Sequence, residues 1–294
     1  MSNQSIPVIF GEVLYDCFPD GTRVLGGAPF NVAWHCHAFG LKPLFISRVG
    51  NDQLGQNIHA AMLDWGMDTQ GIQFDSEHAT GVVNVTFDKN EPSYDIVENS
   101  AWDFINIKEL PEIENQSLLY HGSLSLRNLI TEKSLVHLKQ LFPDSIFVDV
   151  NLRPPWWTLS KIINILENAQ WIKLNLDELS LIVSHESETL KQAHYLMSQY
   201  NLDLVVITLG AQGAIAINKK ESCFVKPDNA TTVVDTVGAG DAFTSVLLLG
   251  LHKHWSLQDI VNRAQEFASA VVGLRGATTQ DKNFYKPFSQ KWSL

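Results

Sequence analysis

Cysteine is scarce in this chain of 294 residues: Cys17, Cys36 and Cys223 lie far apart and form no Cys-x-x-Cys. An odd, scattered set excludes a disulfide framework and a structural zinc site, and points to a reducing compartment. Basic residues are in short supply as well. The chain carries 21 lysines and arginines against 32 carboxylates, a net charge of −11. That balance disfavours nucleic acid and anionic membranes as partners, so a polyanionic ligand needs a local positive site. No apolar run reaches membrane-spanning length, and the first residues lack a charged stretch followed by an apolar one. A soluble, cytoplasmic protein is expected.

Several motifs are missing too. Gly-x-x-x-x-Gly-Lys-Ser/Thr does not occur, which removes the P-loop enzymes. No Gly-x-Gly-x-x-Gly follows the first strand, and there is no Gly-x-Ser-x-Gly, so neither a dinucleotide fold nor a hydrolase elbow has support. Internal repeats and low-complexity stretches are absent. His35-Cys36-His37 sits in an apolar helical segment. Alternate residues do not share a helix face, so this trio is read as core and not as a metal site.

What the chain does have is concentrated at residues 234–243, Val-Asp-Thr-Val-Gly-Ala-Gly-Asp-Ala-Phe. Gly238, Ala239 and Gly240 leave backbone N–H groups unobstructed ahead of an apolar helical stretch. Free amides at a helix N-terminus, aligned with its dipole, form an anion site. A carboxylate, Asp241, follows at once. Beside an anion site it is useful as a general base, taking the proton of a hydroxyl that attacks a phosphate. A plain glycine turn with Asp241 as N-cap would use the same residues.

Short apolar runs alternate with helical patterns along the chain. Strands are expected at 8–10, 44–46, 118–121, 146–150, 171–174 and 204–208. Helices are expected at 31–39, 55–65, 132–142, 159–167, 190–199, 242–251 and 257–272. Such alternation reads as one α/β domain over residues 1–294, with a mostly parallel sheet covered on both faces. Segments 12–18 and 80–97 break the pattern. They alternate polar and apolar residues, with turns at Pro19-Asp20-Gly21 and Lys89-Asn90-Glu91-Pro92. A small antiparallel sheet is expected from them, acting as a lid over the carboxyl ends of the main strands, where open α/β folds bind ligands.

Other polar pieces fall at strand ends. Gly26-Gly27-Ala28-Pro29-Phe30-Asn31 opens a helix. Its glycines admit a ligand close to the backbone, and Asn31 offers a donor and an acceptor. Asp16 on a lid strand suits two hydroxyl hydrogen bonds. Asp149-Val150-Asn151-Leu152-Arg153 ends a strand, with Arg153 fit to clamp a phosphate or sugar oxygen. Asn175 and Glu178, three apart, suit one ligand or a hydrated magnesium ion. Glu178 also reads as a helix-start charge. Thr208-Leu209-Gly210-Ala211-Gln212-Gly213 ends a further strand, as a plain hairpin turn or as a bed for a nucleotide.

Taken in order, the early Gly-Gly-x-x-x-Asn, the Asn-x-x-Glu, the Thr-Leu-Gly-x-x-Gly and the late Asp-Thr-x-Gly-Ala-Gly-Asp resemble the ribokinase-like, or PfkB, sugar kinases over roughly residues 6 to 278. Gly11-Glu12-x-x-x-Asp16, the Gly-Gly-Ala-Pro at 26–29 and the Asn-Leu-Arg at 151–153 are most similar to fructokinases. The resemblance implies a three-layer α/β sandwich with a small β lid, and transfer of the ATP γ-phosphoryl to a sugar hydroxyl, the 6-hydroxyl of fructose. By motif, Asp241 is the base, and the amides of Gly238, Ala239 and Gly240 stabilise the transferring group. Asp16, Gly27, Asn31 and Arg153 hold the sugar. Asn175, Thr208, Gly210 and Gly213 hold ATP, and Glu178 organises Mg2+ through water. The resemblance also implies a monovalent cation (K+) beside the anion hole, at Asp235, Val237, Val271 and Gly276, and a homodimer paired through the lids. Two alternatives stay open: another acceptor (ribose, tagatose, a keto-deoxy sugar acid or a nucleoside), and a catalytically silent sugar sensor.

Overall fold

A computed structural model of the chain describes residues 6–88, 91–113, 116–227 and 233–294. The elements run β1 (Ile6–Phe10), β2 (Leu14–Cys17), β3 (Arg23–Gly26), α1 (Ala28–Ala38), β4 (Leu44–Gly50), α2 (Gln53–Trp65), β5 (Ile72–Asp75), β6 (Gly81–Asp88), β7 (Glu91–Ile96), β8 (Gln116–His121) and α3 (Leu129–Lys139). They continue with β9 (Ile146–Asp149), α4 (Leu159–Leu166), β10 (Trp171–Asn175), α5 (Leu176–Ile182), α6 (Thr189–Tyr200), β11 (Leu204–Thr208), β12 (Ala214–Asn218), β13 (Ser222–Val225), α7 (Ala239–His252), α8 (Leu257–Val271) and α9 (Lys282–Trp292). Every strand and helix expected from the sequence is present within a few residues.

A nine-stranded sheet has the order β13-β12-β11-β10-β9-β8-β1-β4-β5. The strands from β11 to β5 in that order pair in parallel, and β12 and β13 close one edge antiparallel. Period-two alternation splits the side chains between two cores. In β1, Ile9 joins α1, α2, α7, α8 and α9 on one face, while Val8 and Phe10 join α3, α4, α5 and α6 on the other. Burial on both faces explains why these strands read as short unbroken apolar runs.

The chain runs outward from β1 through β4 and β5, then returns as β8 on the other side of β1. This reversal opens a crevice at the carboxyl ends of the central strands, the usual ligand position in such sheets. A second sheet, order β3-β2-β6-β7, stands beside it. Its composition differs from the expected antiparallel arrangement. β2 pairs antiparallel with β3, and β6 with β7, but β2 and β6 run parallel. The two hairpins are separated by more than fifty residues of the main fold, so no turn dictates their relative direction. The turn expected at Lys89-Asn90 lies outside the described residues.

Arg127 ties this small sheet to the body. Its guanidinium donates to Asp103 at 2.6 and 2.7 Å and to the Val97 carbonyl, just past β7, at 2.6 Å. The same group stacks over Trp102 and Trp156, 4.1 and 4.7 Å from their ring centres. Among the described residues no helix is long and apolar enough to cross a membrane.

Candidate active site

A cavity of about 490 Å³ lies between the two sheets at the carboxyl ends of the central strands. Its floor begins with α7. Gly238, at φ +80°, is the N-cap of that helix, and Ala239, Gly240 and Asp241 form its first turn. Only glycine fits at the cap, because a Cβ there would sit 2.3 Å from the Cβ of Ala277. The amides of Gly238, Gly240 and Asp241 donate to no group among the described residues. The amide of Ala239 is engaged in a turn, donating to Thr236 O at 3.4 Å, and Ala239 does not line the cavity. The unpaired amides at this helix start are thus those of the neighbours of Ala239.

Asp241 does not cap its helix. Its side chain turns into the cavity, and Oδ2 accepts from Asn31 Nδ2 at 2.8 Å. Asn31 belongs to α1, 210 residues earlier, and is itself buried. Burial raises the Asp241 carboxyl to about 6, against the lowering effect of the Asn31 hydrogen bond and with the Asp149 charge adding to the rise. At neutral pH Asp241 is therefore ionised but close to its working range, which suits a general base. Asp16 lines the opposite wall from the lid strand β2. Burial lifts it to about 6 as well, opposed by the nearby positive charge of Arg153.

Gly27, Asn31, Arg153, Asn175, Glu178, Thr208 and Val237 also border this cavity. The fold therefore gathers onto one surface the residues expected to hold sugar, nucleotide phosphates and magnesium. Gly210 and Gly213 stand just behind it, shaping the hairpin between β11 and β12. Gly213 has φ +106°, and a Cβ there would come 1.8 Å from Val225 O. The hairpin is thus real, and Thr208 at its start is what faces the cavity.

Glu178 and Asn175 form a capping box on α5. Asn175 Oδ1 accepts from Glu178 N, and Glu178 Oε2 accepts from Asn175 N, both at 2.8 Å. The other oxygen, Oε1, accepts from Leu152 N at 2.7 Å and so holds the segment that presents Arg153. The helix-start reading of Glu178 is correct, and the residue faces the cavity as well. No group of three or more His, Cys, Asp or Glu fit for a metal occurs among the described residues. A lone carboxylate with its remaining lone pairs fits a hydrated metal carried in with phosphates. It does not fit an all-protein cage.

Asp235 lies outside the cavity lining and does a structural job. Its carboxylate accepts from Val237 N at 3.0 Å and from Gly276 N at 3.2 Å. Three of the four nominated cation positions thus meet in one knot beside the anion site. Val271 is buried at the end of α8, its carbonyl accepting from Leu274 N. His35, Cys36 and His37 diverge. His35 Nε2 meets Ala277 O at 2.9 Å and its Nδ1 meets the Tyr285 hydroxyl, Cys36 contacts Ser245 O, and His37 meets Trp65 O.

Four functional neighbours carried no role in the sequence reading. Lys173 on β10 stands opposite Asp149 on β9 in the strand register. Its ammonium donates to both Asp149 oxygens at 3.0 and 2.8 Å. Thr244 of α7 donates to the same carboxylate at 2.9 Å. The Lys173 Nζ lies 3.4 Å from the position of a Cβ on Gly240, so a positive charge backs the anion site. Asp149 holds that ammonium charged against the pull of burial. A lysine in the middle of an apolar strand was the available signal. Glu12 is the fourth: it follows β1, borders the cavity, and is raised by burial to about 7.

The pfkB family carbohydrate kinase profile matches residues 12–283. A probable fructokinase-5 of Arabidopsis thaliana is 30% identical over 305 aligned positions, covering 95% of this chain and 93% of that protein. An aminoimidazole riboside kinase of Salmonella typhimurium is 26% identical over 292 positions, covering 92% and 90%. The crystal structure of a fructokinase from Vibrio cholerae O395 with fructose, ADP and a calcium ion superposes with a TM-score of 0.82 at 24% identity, covering 96% of this chain and 98% of that one.

Proposed function

Because the chain belongs to the pfkB family of carbohydrate kinases, we propose that it transfers the γ-phosphoryl of ATP to the 6-hydroxyl of fructose. The observation that carries the phosphoryl-transfer reading is Asp241. A partly buried carboxylate with its pKa near 6 points into the same cavity as the free amides of its own helix start. Asp241 takes the proton of the sugar hydroxyl as that oxygen bonds to the γ-phosphorus. The bond from that phosphorus to the bridging oxygen breaks, and ADP leaves with the electron pair. The Gly238 and Gly240 amides, the helix dipole and the Lys173 charge behind them stabilise negative charge on the moving phosphoryl.

Asp16 and Asn31 are placed to bind sugar hydroxyls, and Arg153 to clamp a sugar oxygen or the phosphoryl. Asn175 and Thr208 would line the nucleotide path, with the 210–213 hairpin shaping it. Glu178 would reach hydrated magnesium, which supplies charge neutralisation for the triphosphate. The knot around Asp235 is where a potassium ion would sit. The lid sheet would pair with that of a second copy, and it would exclude water that competes for the phosphoryl.

Support for fructose comes from the Gly11-Glu12-x-x-x-Asp16 pattern and from the fructokinase among the relatives. The aminoimidazole riboside kinase among them favours a riboside as second reading. An ADP-release assay with magnesium-ATP against fructose, ribose, tagatose, a keto-deoxy sugar acid and aminoimidazole riboside tests this directly. Strong turnover with fructose alone is expected. Preference for another acceptor discards fructose and keeps the kinase.

A further inference from the structure

Glu12 is 2% exposed, borders the cavity, and its Oε2 has no hydrogen-bond partner. Asn31 presents the matching oddity. Its Nδ2 is spent on Asp241, and its Oδ1 is buried without a partner. The two orphaned atoms are not bonded to each other. Their residues both line the cavity that holds Asp241, and Gly27 packs against the Glu12 backbone: a Cβ on Gly27 would come 2.7 Å from Glu12 O.

An ionised Glu12 would leave a buried, unpaired anionic oxygen beside the Asp241 carboxylate, a costly arrangement. A neutral Glu12 instead offers an O–H donor. The groups acting on it are Asp241 of α7, Arg153 after β9 and Arg127 ahead of α3. Its charge is also felt by the Tyr120 hydroxyl of β8, and Asp16 of β2 shares the cavity. A hydrogen bond from its own backbone amide and the two arginines favour the charged form, but burial and Asp241 outweigh them. A donor at Glu12 and an acceptor at Asn31 Oδ1, flanking the base, complement a hydroxylated ring whose oxygens both give and take hydrogen bonds.

We propose that Glu12 is a substrate-positioning and specificity residue of the sugar subsite that works as a neutral acid, donating its proton in a hydrogen bond to an oxygen of the bound sugar while Asn31 Oδ1 accepts from a sugar hydroxyl. Sugar capture is then linked to the proton on Glu12. Since that group sits at about 7 in the free protein, capture at pH 7.5 takes up about three-quarters of a proton. The apparent affinity falls with the protonated fraction, about twenty-five-fold between pH 6.5 and 8.5.

The inference rests on the sugar-kinase reading, and the test separates the two. Fructose, or whichever panel sugar is phosphorylated, is titrated calorimetrically at pH 7.5 in two buffers of different ionisation enthalpy. Its KM is also measured from pH 6.5 to 8.5 for wild type, Glu12→Gln and Glu12→Ala. Glu12→Gln keeps a donor that cannot ionise. It is expected to take up no proton and to hold KM within about threefold across that range. Glu12→Ala loses the donor and is expected to show a raised KM that is equally flat. Proton uptake by wild type that vanishes in Glu12→Gln supports the assignment. Coincident KM curves for wild type and Glu12→Gln, or no uptake by wild type, overturn it while leaving the kinase reading intact. A wild type that binds no panel sugar overturns both.

Discussion

Replacing Asp241 by asparagine should disable the enzyme and stabilise the protein. The carboxylate sits partly buried with its pKa at about 6 against an ordinary value of 3.8. A raised folded-state pKa means that the native state holds its proton more tightly than the unfolded chain. The stability from that proton is full below about 3.8 and is lost as pH rises through about 6. At pH 7.5 the native state therefore carries a penalty of up to about 3 kcal/mol for keeping this charge buried. Asparagine has the same shape and no charge, and its Oδ1 can still accept from Asn31 Nδ2. The variant should melt a few degrees higher at pH 7.5, and the difference should shrink towards pH 4. Turnover should fall about 10²- to 10⁴-fold, the span of a lost general base, since the anion site stays intact. The Kd for sugar should move by less than about threefold, because proton removal belongs to the transition state. Calorimetric melting at several pH values and steady-state kinetics give both numbers. Substantial residual turnover, or a lower melting temperature at pH 7.5, would falsify the picture of Asp241 as a strained base.

Gly238→Ala should cut kcat far more than sugar affinity, since the new Cβ collides with Ala277 and moves the anion-binding amides; equal losses in both would place Gly238 outside catalysis. Arg127→Met should cost about 3–5 kcal/mol in urea unfolding by stranding the buried Asp103 carboxylate, and a change under 1 kcal/mol would show that the lid anchor is held by other contacts. Glu12→Gln should be more stable than wild type by a margin that grows from pH 5 to pH 8, as the wild-type carboxyl ionises through about 7. Taking the difference between the two proteins cancels His35, which burial holds near 4 and which pulls the other way below about 6.5. A constant margin contradicts the raised Glu12.

The six central strands of the main sheet were legible in the sequence because they are buried on both faces and read as unbroken apolar runs, whereas the edge strands β5, β12 and β13 were not. α9 was not. Its apolar residues (Phe284, Tyr285, Phe288 and Trp292) are outnumbered by polar ones, and they matter only because Phe39 and Phe267 meet them. The lid topology was illegible for a different reason. The parallel pairing of β2 with β6 joins segments more than sixty residues apart, and no local signal encodes it. The glycine-rich pieces that border the cavity stood out in the sequence because their spacing is a local constraint. Lys173 and Asp149 escaped because their partnership exists only in the register of β9 against β10. Glu178 shows that a capping role and a place in the cavity wall can share a side chain, so finding the first does not remove the second.

Five carboxylates border a cavity that must receive a triphosphate: Glu12, Asp16, Asp149, Glu178 and Asp241. That looks self-defeating until each is followed to its partner. Asp149 is neutralised by Lys173 and fixed by Thr244. Glu178 accepts two backbone amides at the start of α5, where the helix dipole favours its charge. The Arg153 charge acts on Asp16 against the effect of its burial, and Glu12, raised by burial to about 7, carries only part of a charge at neutral pH. Asp241 is left as the carboxylate whose partner, the Asn31 amide, is neutral. Beyond that amide, its charge is met only at longer range, by Lys173 and Arg153. On the proposed reading, a proton arriving from a sugar hydroxyl would relieve the cost of that charge at the moment when the attacking oxygen needs to lose it. The arrangement that makes the site acidic is thus also the ground for proposing Asp241 as its base.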